Sequence, residues 1–306
     1  MGTRTLLNLI LLCVAVVLVL VIFYQPGLEQ EPLAPPLTTL STDSIHSIRV
    51  TRKERTPLGF VKTARGWQLT GEHNLPASEF QLRALLGILD TRPDRSYPDS
   101  ALDLAAAGLD PPQATLLLND TVFYLGYTEP LQHKRYLRLD DSVYLVTDKY
   151  QHLLNADWSN FVERRLLPEH AVLTGVALPG LNLALDNDGQ WQASPPVSEE
   201  NAAAIEALVA RWQAANATYI RRYDGKASSK SITLVPADSS EPVTLYLLQE
   251  EPELVLARPD WGIQYHFPGN LGKTMLQLQT PETGIDPDSR KQGTATQQAP
   301  LPGTSP

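Results

Sequence analysis

The chain carries an internal duplication, and this limits its possible folds more than its composition does. Trp67 and Trp191 each follow a predicted tight turn and lie 124 residues apart. Further along, the spacing is 120 residues, both between Ser78 and Ser198 and between Leu145 and Tyr265. Self-similarity at a fixed spacing is typical of chains built from copies of one structural unit. We therefore expect two tandem, pseudo-symmetric repeats.

The pattern inside each half predicts sheet and helix together. Ser78 and Ser198 stand where helix N-caps belong, each before a stretch whose apolar residues recur three and four positions apart. Downstream, the pairs at 119–120 and 140–141 separate short β-type segments and predict two-residue hairpins. Each half is thus expected to hold three strands, a helix and a four-stranded meander. The predicted class is α+β, with antiparallel sheets and helices packed on them.

The first half contains two further segments for which helices are predicted. One runs from Ser100 to Ala107 and is closed by Gly108 and Pro111. The other covers Thr147 to Leu167, where the pattern indicates one helix and a second short turn leading into the second half.

The segment from Leu6 to Tyr24 is apolar enough to suggest a transmembrane helix. A cleaved signal peptide and a retained anchor both fit an N-terminal apolar stretch, and small residues after it would favour cleavage. The stretch is followed by Gln25, Pro26 and Gly27, which favours the anchor. Arg4 precedes it and acidic residues follow it, so the positive-inside rule predicts an N-terminus in the cytoplasm and the rest of the chain outside, with a single pass through the membrane.

The remaining boundaries follow from composition. Residues 25–40 hold four prolines, which is typical of a semi-rigid spacer, and residues 280–306 show neither periodicity nor aromatic residues. The predicted organisation is a cytoplasmic N-terminus (1–5), a transmembrane helix (6–24), a Pro-rich linker (25–41), a first α+β repeat (42–167), a second α+β repeat (168–279) and a disordered tail (280–306).

Charge and residue usage exclude several function classes. The net charge of −9 and the pI near 5.2 offer no basic field for a nucleic acid. Cys13 is the only cysteine, so an internal disulfide or a CxxC site is impossible. The six histidines, at 46, 73, 133, 152, 170 and 266, stand singly and form no metal-ligand motif. We expect no catalytic residues, no cofactor and no metal, and the sequence assigns no binding residues.

Three fragments resemble functional motifs, and each also has a structural interpretation. Residues 271–274 end like a phosphate loop, but Phe267 stands where its first glycine belongs, so a helix start is favoured. Residues 186–189 resemble the opening of a calcium loop, but a hairpin turn fits better. Residues 163–165 (Glu-Arg-Arg) are suited to an acidic partner or a lipid headgroup, or form a solvated helix face.

The equivalent tryptophans Trp67 and Trp191 also allow two interpretations. They are suited to line a ligand groove, or to seal a helix to its sheet. Because they recur at matching positions and bury a large area, we expect both to be core residues.

An ordered set of segments resembles a known bacterial family. The set comprises the predicted anchor, Gly-Trp-Gln-Leu at 66–69, Ala-Gly-Leu-Asp-Pro-Pro at 107–112, the meander end at 139–147 and Phe-Val-Glu-Arg-Arg-Leu-Leu at 161–167. It resembles the family catalogued as domain of unknown function 4340. The resemblance implies an envelope protein that accompanies ABC-2-type exporters, with no catalytic residues to carry over.

Three functional hypotheses follow. The leading one, which follows the resemblance, is a non-catalytic accessory protein with a single-pass anchor in the bacterial inner membrane and its body in the periplasm. It is expected to bind a protein partner in the cell envelope, with transporter subunits as the expected partner. The second is a ligand-binding module that uses a cleft between two lobes. The third is a hydrolase that acts on cell-wall or lipid material.

Overall fold

A computed structural model describes residues 2–24, 35–71, 74–130, 132–198, 201–238 and 241–279. Most of the predicted linker (25–34) and the whole predicted tail (280–306) lie outside these described residues. The chain divides after Glu163 into two units, which are described separately below.

The first unit is built around a sheet of nine antiparallel strands. Its strands are β1 (Ser47–Arg52), β2 (Arg55–Thr63), β3 (Gly66–Thr70), β4 (Leu75–Pro76), β5 (Arg95–Pro98), β6 (Ala114–Leu118), β7 (Thr121–Thr128), β8 (Lys134–Leu139) and β9 (Ser142–Thr147). Its helices are α1 (Thr3–Tyr24), α2 (Glu79–Leu86) and α3 (Gln151–Asn155). Across the sheet the order is β4-β3-β2-β1-β6-β7-β8-β9-β5.

The second unit contains a sheet of eight antiparallel strands. Its strands are β10 (Leu173–Leu178), β11 (Leu181–Leu185), β12 (Trp191–Ser194), β13 (Tyr219–Arg222), β14 (Ser231–Pro236), β15 (Val243–Gln249), β16 (Glu253–Arg258) and β17 (Ile263–Pro268). Its helices are α4 (Ala202–Gln213) and α5 (Gly269–Leu276). The order across the sheet is β12-β11-β10-β14-β15-β16-β17-β13.

The two sheets share one strand order. Strands β10, β11 and β12 of the second sheet occupy the positions of β1, β2 and β3 in the first. The four meander strands β14–β17 then correspond in order to β6–β9, and β13 corresponds to β5. The predicted two-residue hairpins join β6 to β7 and β8 to β9. Asn119 and Asp140 take left-handed backbone conformations in these turns, which short polar side chains tolerate.

The predicted fold class is wrong in its balance of helix and sheet. Both units are mainly antiparallel sheet, and the helices after α1 are 5 to 12 residues long. The predicted helix over Ser100–Ala107 is instead a 3-10 turn at Asp99–Ala101 followed by irregular turns. Gly108, with φ of +68°, ends the segment before a helix can develop. Likewise, Thr147–Leu167 forms only the short α3 and a 3-10 turn at Trp158–Phe161.

The prediction of a transmembrane helix is also wrong. Among the residues that the structure describes, no helix combines the length and the apolar character needed to cross a membrane.

The core of the first unit lies on one face of its sheet, where Ile48, Leu116, Phe123 and Leu137 are fully buried. The other face carries a smaller apolar cluster. There, residues 102–109 bring Ala107 and Leu109 onto Val143 of β9. In the second unit, α4 contacts β10 and β12, and α5 contacts β16, β17 and α4.

Candidate functional site

Helix α2 has one buried and one exposed face. Leu82, Leu85 and Leu86 are buried, and the 3-10 turn at Gly87–Asp90 extends the apolar face with Ile88 and Leu89. This spacing of three and four residues is that of an amphipathic helix. Ser78 occupies the predicted N-cap position, but its side chain makes no capping hydrogen bond.

The exposed face of α2 carries an aromatic residue. Phe80 is 74% exposed, and Arg83 and Ala84 on the next turn are exposed as well. Residues three, four and seven positions apart share a helix face, so Phe80, Arg83, Ala84 and Gly87 form one continuous row, here called the α2 stripe. Lone exposed apolar residues are common on proteins, so the importance of Phe80 depends on what adjoins it.

The α2 stripe ends at a cleft of about 330 Å³, here called the unit-one cleft. It lies between the residues that follow α2 and those that follow β9. Its lining consists of Gly87, Asp90, Thr91, Arg92, Thr147, Lys149 and Tyr150. This volume is at the small end of ligand sites and is large enough for one or two side chains of a partner.

Two hydroxyl groups form part of the cleft wall. The Tyr150 hydroxyl and Thr91 Oγ1 are 2.6 Å apart, and Thr91 Oγ1 also donates to the Gly87 carbonyl at 3.3 Å. Burial raises the pKa of Tyr150, the hydrogen bond to Thr91 lowers it, and nearby Asp90 raises it, with a net upward shift. Tyr150 is therefore a neutral hydrogen-bonding group, without the lowered pKa that would favour nucleophilic chemistry.

The cleft lining has more basic than acidic residues, whereas the chain as a whole is acidic. Arg92 and Lys149 face a single acidic lining residue, Asp90, although the chain as a whole carries −9. At its border, Lys134 Nζ lies 2.8 Å from Asp94 Oδ2 and donates to Thr147 Oγ1 at 3.1 Å, so this lysine is already neutralised. The local excess of positive charge suits an acidic group on a partner.

The second unit holds a separate polar cluster on β13, β16 and β17. His266 is 5% exposed, and its Nδ1 lies 3.0 Å from Glu253 Oε2. The Tyr219 hydroxyl donates to the same oxygen at 2.7 Å, and its ring stacks on the imidazole with centroids 4.4 Å apart. These hydrogen bonds from Tyr219 and His266 lower the pKa of Glu253, and the bond to Glu253 raises the pKa of Tyr219.

A carboxylate paired with a histidine resembles part of an acid–base site. Here, however, His266 Nε2 lies 3.0 Å from the side-chain nitrogen of Gln264, in the position where a nucleophile or substrate would have to approach. Both ring nitrogens are thus engaged by the chain's own side chains. The cluster ties the edge strand β13 to β16 and β17.

The two tryptophans of the duplication differ in burial. Trp67 is 8% exposed, as predicted for a core residue, whereas its counterpart Trp191 is only half-buried. Trp212, which the duplication does not pair, is fully buried, and its Nε1 donates to the Met275 carbonyl at 2.9 Å.

Two of the three motif-like fragments adopt the structures predicted for them. Residues 271–274 lie within α5, so they form no phosphate loop. Residues 186–189 form the hairpin turn between β11 and β12. Asp186 there accepts hydrogen bonds from the backbone of Gln190 and Asp188 and from the Gln192 side chain, which lower its pKa.

The third fragment, residues 163–165, was predicted as a solvated helix face, and that prediction is wrong because the segment is extended. Glu163 N donates to the Pro76 carbonyl at 2.9 Å in the first unit. In the second unit, an Arg164 guanidinium nitrogen donates to the Thr218 carbonyl at 3.1 Å, and Arg165 lies 3.4 Å from Glu169.

The histidines remain dispersed. Among the described residues, no three His, Cys, Asp or Glu side chains come together as a group that could hold a metal ion. His73 lies outside the described residues, and Cys13 is an exposed free thiol on α1.

The sequence interpretation missed Phe80, Arg92, Lys149 and Tyr150. For Phe80 a signal was available: Leu82, Leu85, Leu86 and Leu89 define the apolar stripe of α2, and Phe80 falls outside it. The cleft itself gives no local signal, because its two walls come from segments more than 50 residues apart.

The fold and this surface define a class of protein: a two-unit, antiparallel β-sheet protein with a small polar cleft in its first unit. The family model described as Domain of unknown function (DUF4340) matches residues 67–234, which is more than half of the 306-residue chain. The chain belongs to this family. No curated protein and no solved structure shows a significant match to the chain.

Proposed function

We propose that this protein works by binding a partner protein through the α2 stripe and the unit-one cleft, without catalysing a reaction. The observation that carries the proposal is the position of Phe80. A phenylalanine side chain that is 74% exposed lies on the same helix face that leads into a polar cleft with excess positive charge.

The combination suits a protein segment more than a small metabolite. An exposed aromatic side chain is typical of the residues that dominate binding energy at interfaces. The cleft, at about 330 Å³, has Arg92 and Lys149 in its lining, and the exposed Lys149 can meet an acidic group. The expected partner segment therefore presents an apolar side chain that covers Phe80 and, roughly two helical turns away, a carboxylate that enters the cleft.

The polar clusters of both units favour binding over catalysis. The two ring nitrogens of His266 are engaged by Glu253 and Gln264, Glu253 Oε2 also accepts from Tyr219, and the Tyr150 pKa is raised. A general base or nucleophile needs an approachable atom and a pKa shifted toward its task. The ligand-binding and hydrolase alternatives stay predictions, and no feature described here favours them.

The family resemblance suggests an exporter subunit as the partner and the periplasm as the place of contact. This part of the proposal rests on the resemblance alone, because the spanning helix that favoured the same location is not found among the described residues. The docking surface itself is defined by the folded first unit.

Site-specific photocrosslinking in the native cell tests the proposal. A benzophenone amino acid at Phe80 should capture one discrete protein, an exporter subunit, and the same probe at Tyr127 should not. Tyr127 is the matched control because it is also an exposed aromatic residue of the first unit, 51% exposed.

Charge reversal then tests the cleft. Arg92→Glu with Lys149→Glu should reduce crosslinking from position 80 about tenfold, which corresponds to about 1.4 kcal/mol. Lys53→Glu with Lys62→Glu, two exposed lysines elsewhere in this unit, should leave it unchanged. Equal capture from positions 80 and 127, or equal effects of the two double variants, would refute the docking surface.

A further inference from the structure

The α2 stripe combines one large side chain with small ones. Phe80 stands at its first end, Ala84 in the middle is exposed, and a Cβ built on Gly87 would meet no atom within 4 Å. The distance between two packed helices depends on the side chains at their contact, so small residues allow a close approach. Small residues alone do not identify what binds there, and the choice depends on backbone pairing, spacing and charge.

Beyond its first turn, the backbone of α2 is paired within the helix. Leu82 N donates to the Ser78 carbonyl at 3.1 Å, and Gly87 N bonds to the Arg83 carbonyl. The Gly87 carbonyl in turn accepts from Thr91 Oγ1. An extended segment on this surface would bury its own N–H and C=O groups without partners, whereas a helix pairs these groups internally. The stripe therefore suits a helical segment of a partner.

The length of the stripe sets a spacing for that segment. Phe80 and Gly87 are seven residues apart, which is about 10 Å along a helix at 1.5 Å per residue. A partner helix lying along α2 would span this distance with seven of its own residues, and an extended segment would span it with about three. Residues seven apart share a helix face, so one face of a partner helix can reach both ends of the stripe.

The charges beside the stripe favour one direction for a partner helix. Exposed Glu79 lies at the start of α2, exposed Arg83 lies one turn later, and exposed Lys149 lines the cleft at the end of the stripe. A complementary helix carries acidic residues opposite Lys149 and Arg83 and a basic residue opposite Glu79. Acidic residues stabilise the first turn of a helix, and basic residues stabilise its last turn. Such a helix is therefore most stable when it runs antiparallel to α2.

We infer that the partner binds the first unit as an amphipathic helix that runs antiparallel to α2. This mode of binding rests on the docking surface proposed above and adds the conformation, direction and spacing of the segment that occupies it. The first turn of the partner helix presents an acidic side chain to Lys149 at the unit-one cleft. About seven residues later, an apolar side chain covers Phe80, and the backbone between them lies close to Ala84 and Gly87.

Crosslink mapping in the native cell tests this mode of binding. A benzophenone amino acid is placed at Phe80 or at Gly87 of the full chain, and mass spectrometry identifies the partner residues that each position captures. Those captured from position 87 should precede those captured from position 80 by about seven residues. A spacing of about three would indicate an extended segment, and the opposite order would indicate a parallel helix. Either result would overturn the antiparallel helix and leave the docking surface intact.

A bulky substitution tests the close approach of the two helices. Ala84→Trp should reduce capture from position 80 about tenfold, because the indole would hold a partner helix away from the stripe. Ala64→Trp is the matched control, since Ala64 is an exposed alanine on the turn between β2 and β3, and it should leave capture unchanged. Equal capture in the two variants would contradict helix packing at the stripe.

Charge exchange tests the spacing within the partner. Lys149→Glu should weaken capture from position 80 several-fold, and a lysine in place of the partner's acidic residue, about seven positions before the captured one, should restore it. The same partner variant should bind the unmodified chain poorly. Failure of the exchange to restore capture would overturn the pairing of that residue with Lys149. If position 80 captures no discrete protein at all, the proposed docking surface fails together with the helix.

Discussion

Arg135 and Asp148 show how a charged pair is accommodated inside the first unit. Arg135 is 7% exposed, and one guanidinium nitrogen lies 2.8 Å from Asp148 Oδ2 while the other donates to the Gly126 carbonyl at 2.6 Å. Asp148 also accepts hydrogen bonds from the Thr128 hydroxyl and from Gln151 N at the start of α3. The pair therefore links β7, β8 and α3. The residue 120 positions after Arg135 is the buried Val255, so the second unit fills the equivalent position with an apolar side chain.

Replacing this carboxylate should destabilise the first unit and change its response to acid. Asp148→Asn leaves a buried guanidinium without its counter-ion, and we expect the free energy of unfolding to fall by about 3 kcal/mol in urea titrations at pH 7. Asp120→Asn, on an exposed hairpin turn, is the control and should change it by less than about 0.5 kcal/mol.

The pH dependence has a definite sign. Burial raises the pKa of Asp148, but the hydrogen bonds from Arg135 and Thr128 outweigh it and leave the pKa below its usual value. A lowered folded-state pKa stabilises the fold above the unfolded-state pKa, near 4, and this stabilisation is lost as the pH falls further. The unmodified protein should lose stability below about pH 4 more steeply than Asp148→Asn. Parallel curves for the two proteins would contradict this assignment.

At the scale of elements, the close approach of the 102–109 segment to β7 depends on a glycine. A Cβ at Gly126 would meet the Ala107 carbonyl, and it would lie 3.1 Å from Leu109. Tyr127 N donates to the same carbonyl at 2.9 Å, which fixes the segment on the sheet. No other residue fits at this position without moving the segment away from Val143.

Gly126→Ala should therefore lower the free energy of unfolding by about 1–3 kcal/mol, the usual effect of overpacking. Gly87→Ala is the matched control, because a Cβ there meets nothing within 4 Å and the backbone is already helical. It should be neutral or slightly stabilising. Chemical denaturation of both variants measures the difference, and equal stabilities would show that the segment does not pack as described.

The elements differ in how far the sequence predicts them. The hairpins at 119–120 and 140–141 follow from local turn chemistry and alternating apolar residues, and both are confirmed. Strands β5 and β13 were not predicted, because Arg-Ser-Tyr-Pro and Tyr-Ile-Arg-Arg carry no alternating pattern of their own. They become strands by pairing with β9 and β17, more than 40 residues later. The unit-one cleft was missed for the same reason, since pairing distant in sequence assembles it.

At the scale of the whole molecule, one structural unit occurs twice, and the two copies differ at one end of the sheet. Eight strands follow the same order in both sheets, and each sheet is closed on the meander side by a strand that precedes the meander in sequence. The units differ at the other end, where β4 is present only in the first among the described residues. The proposed docking surface belongs to the first unit.

The most direct test of this account is an NMR measurement of cross-strand NOEs in the full chain. Arg95 pairs with Leu145 where β5 closes the first sheet, and Ile220 pairs with Tyr265 where β13 closes the second. Backbone NOEs between the members of each pair are predicted at both places. Their presence in the first unit and absence in the second would contradict the central claim that the two units share one fold.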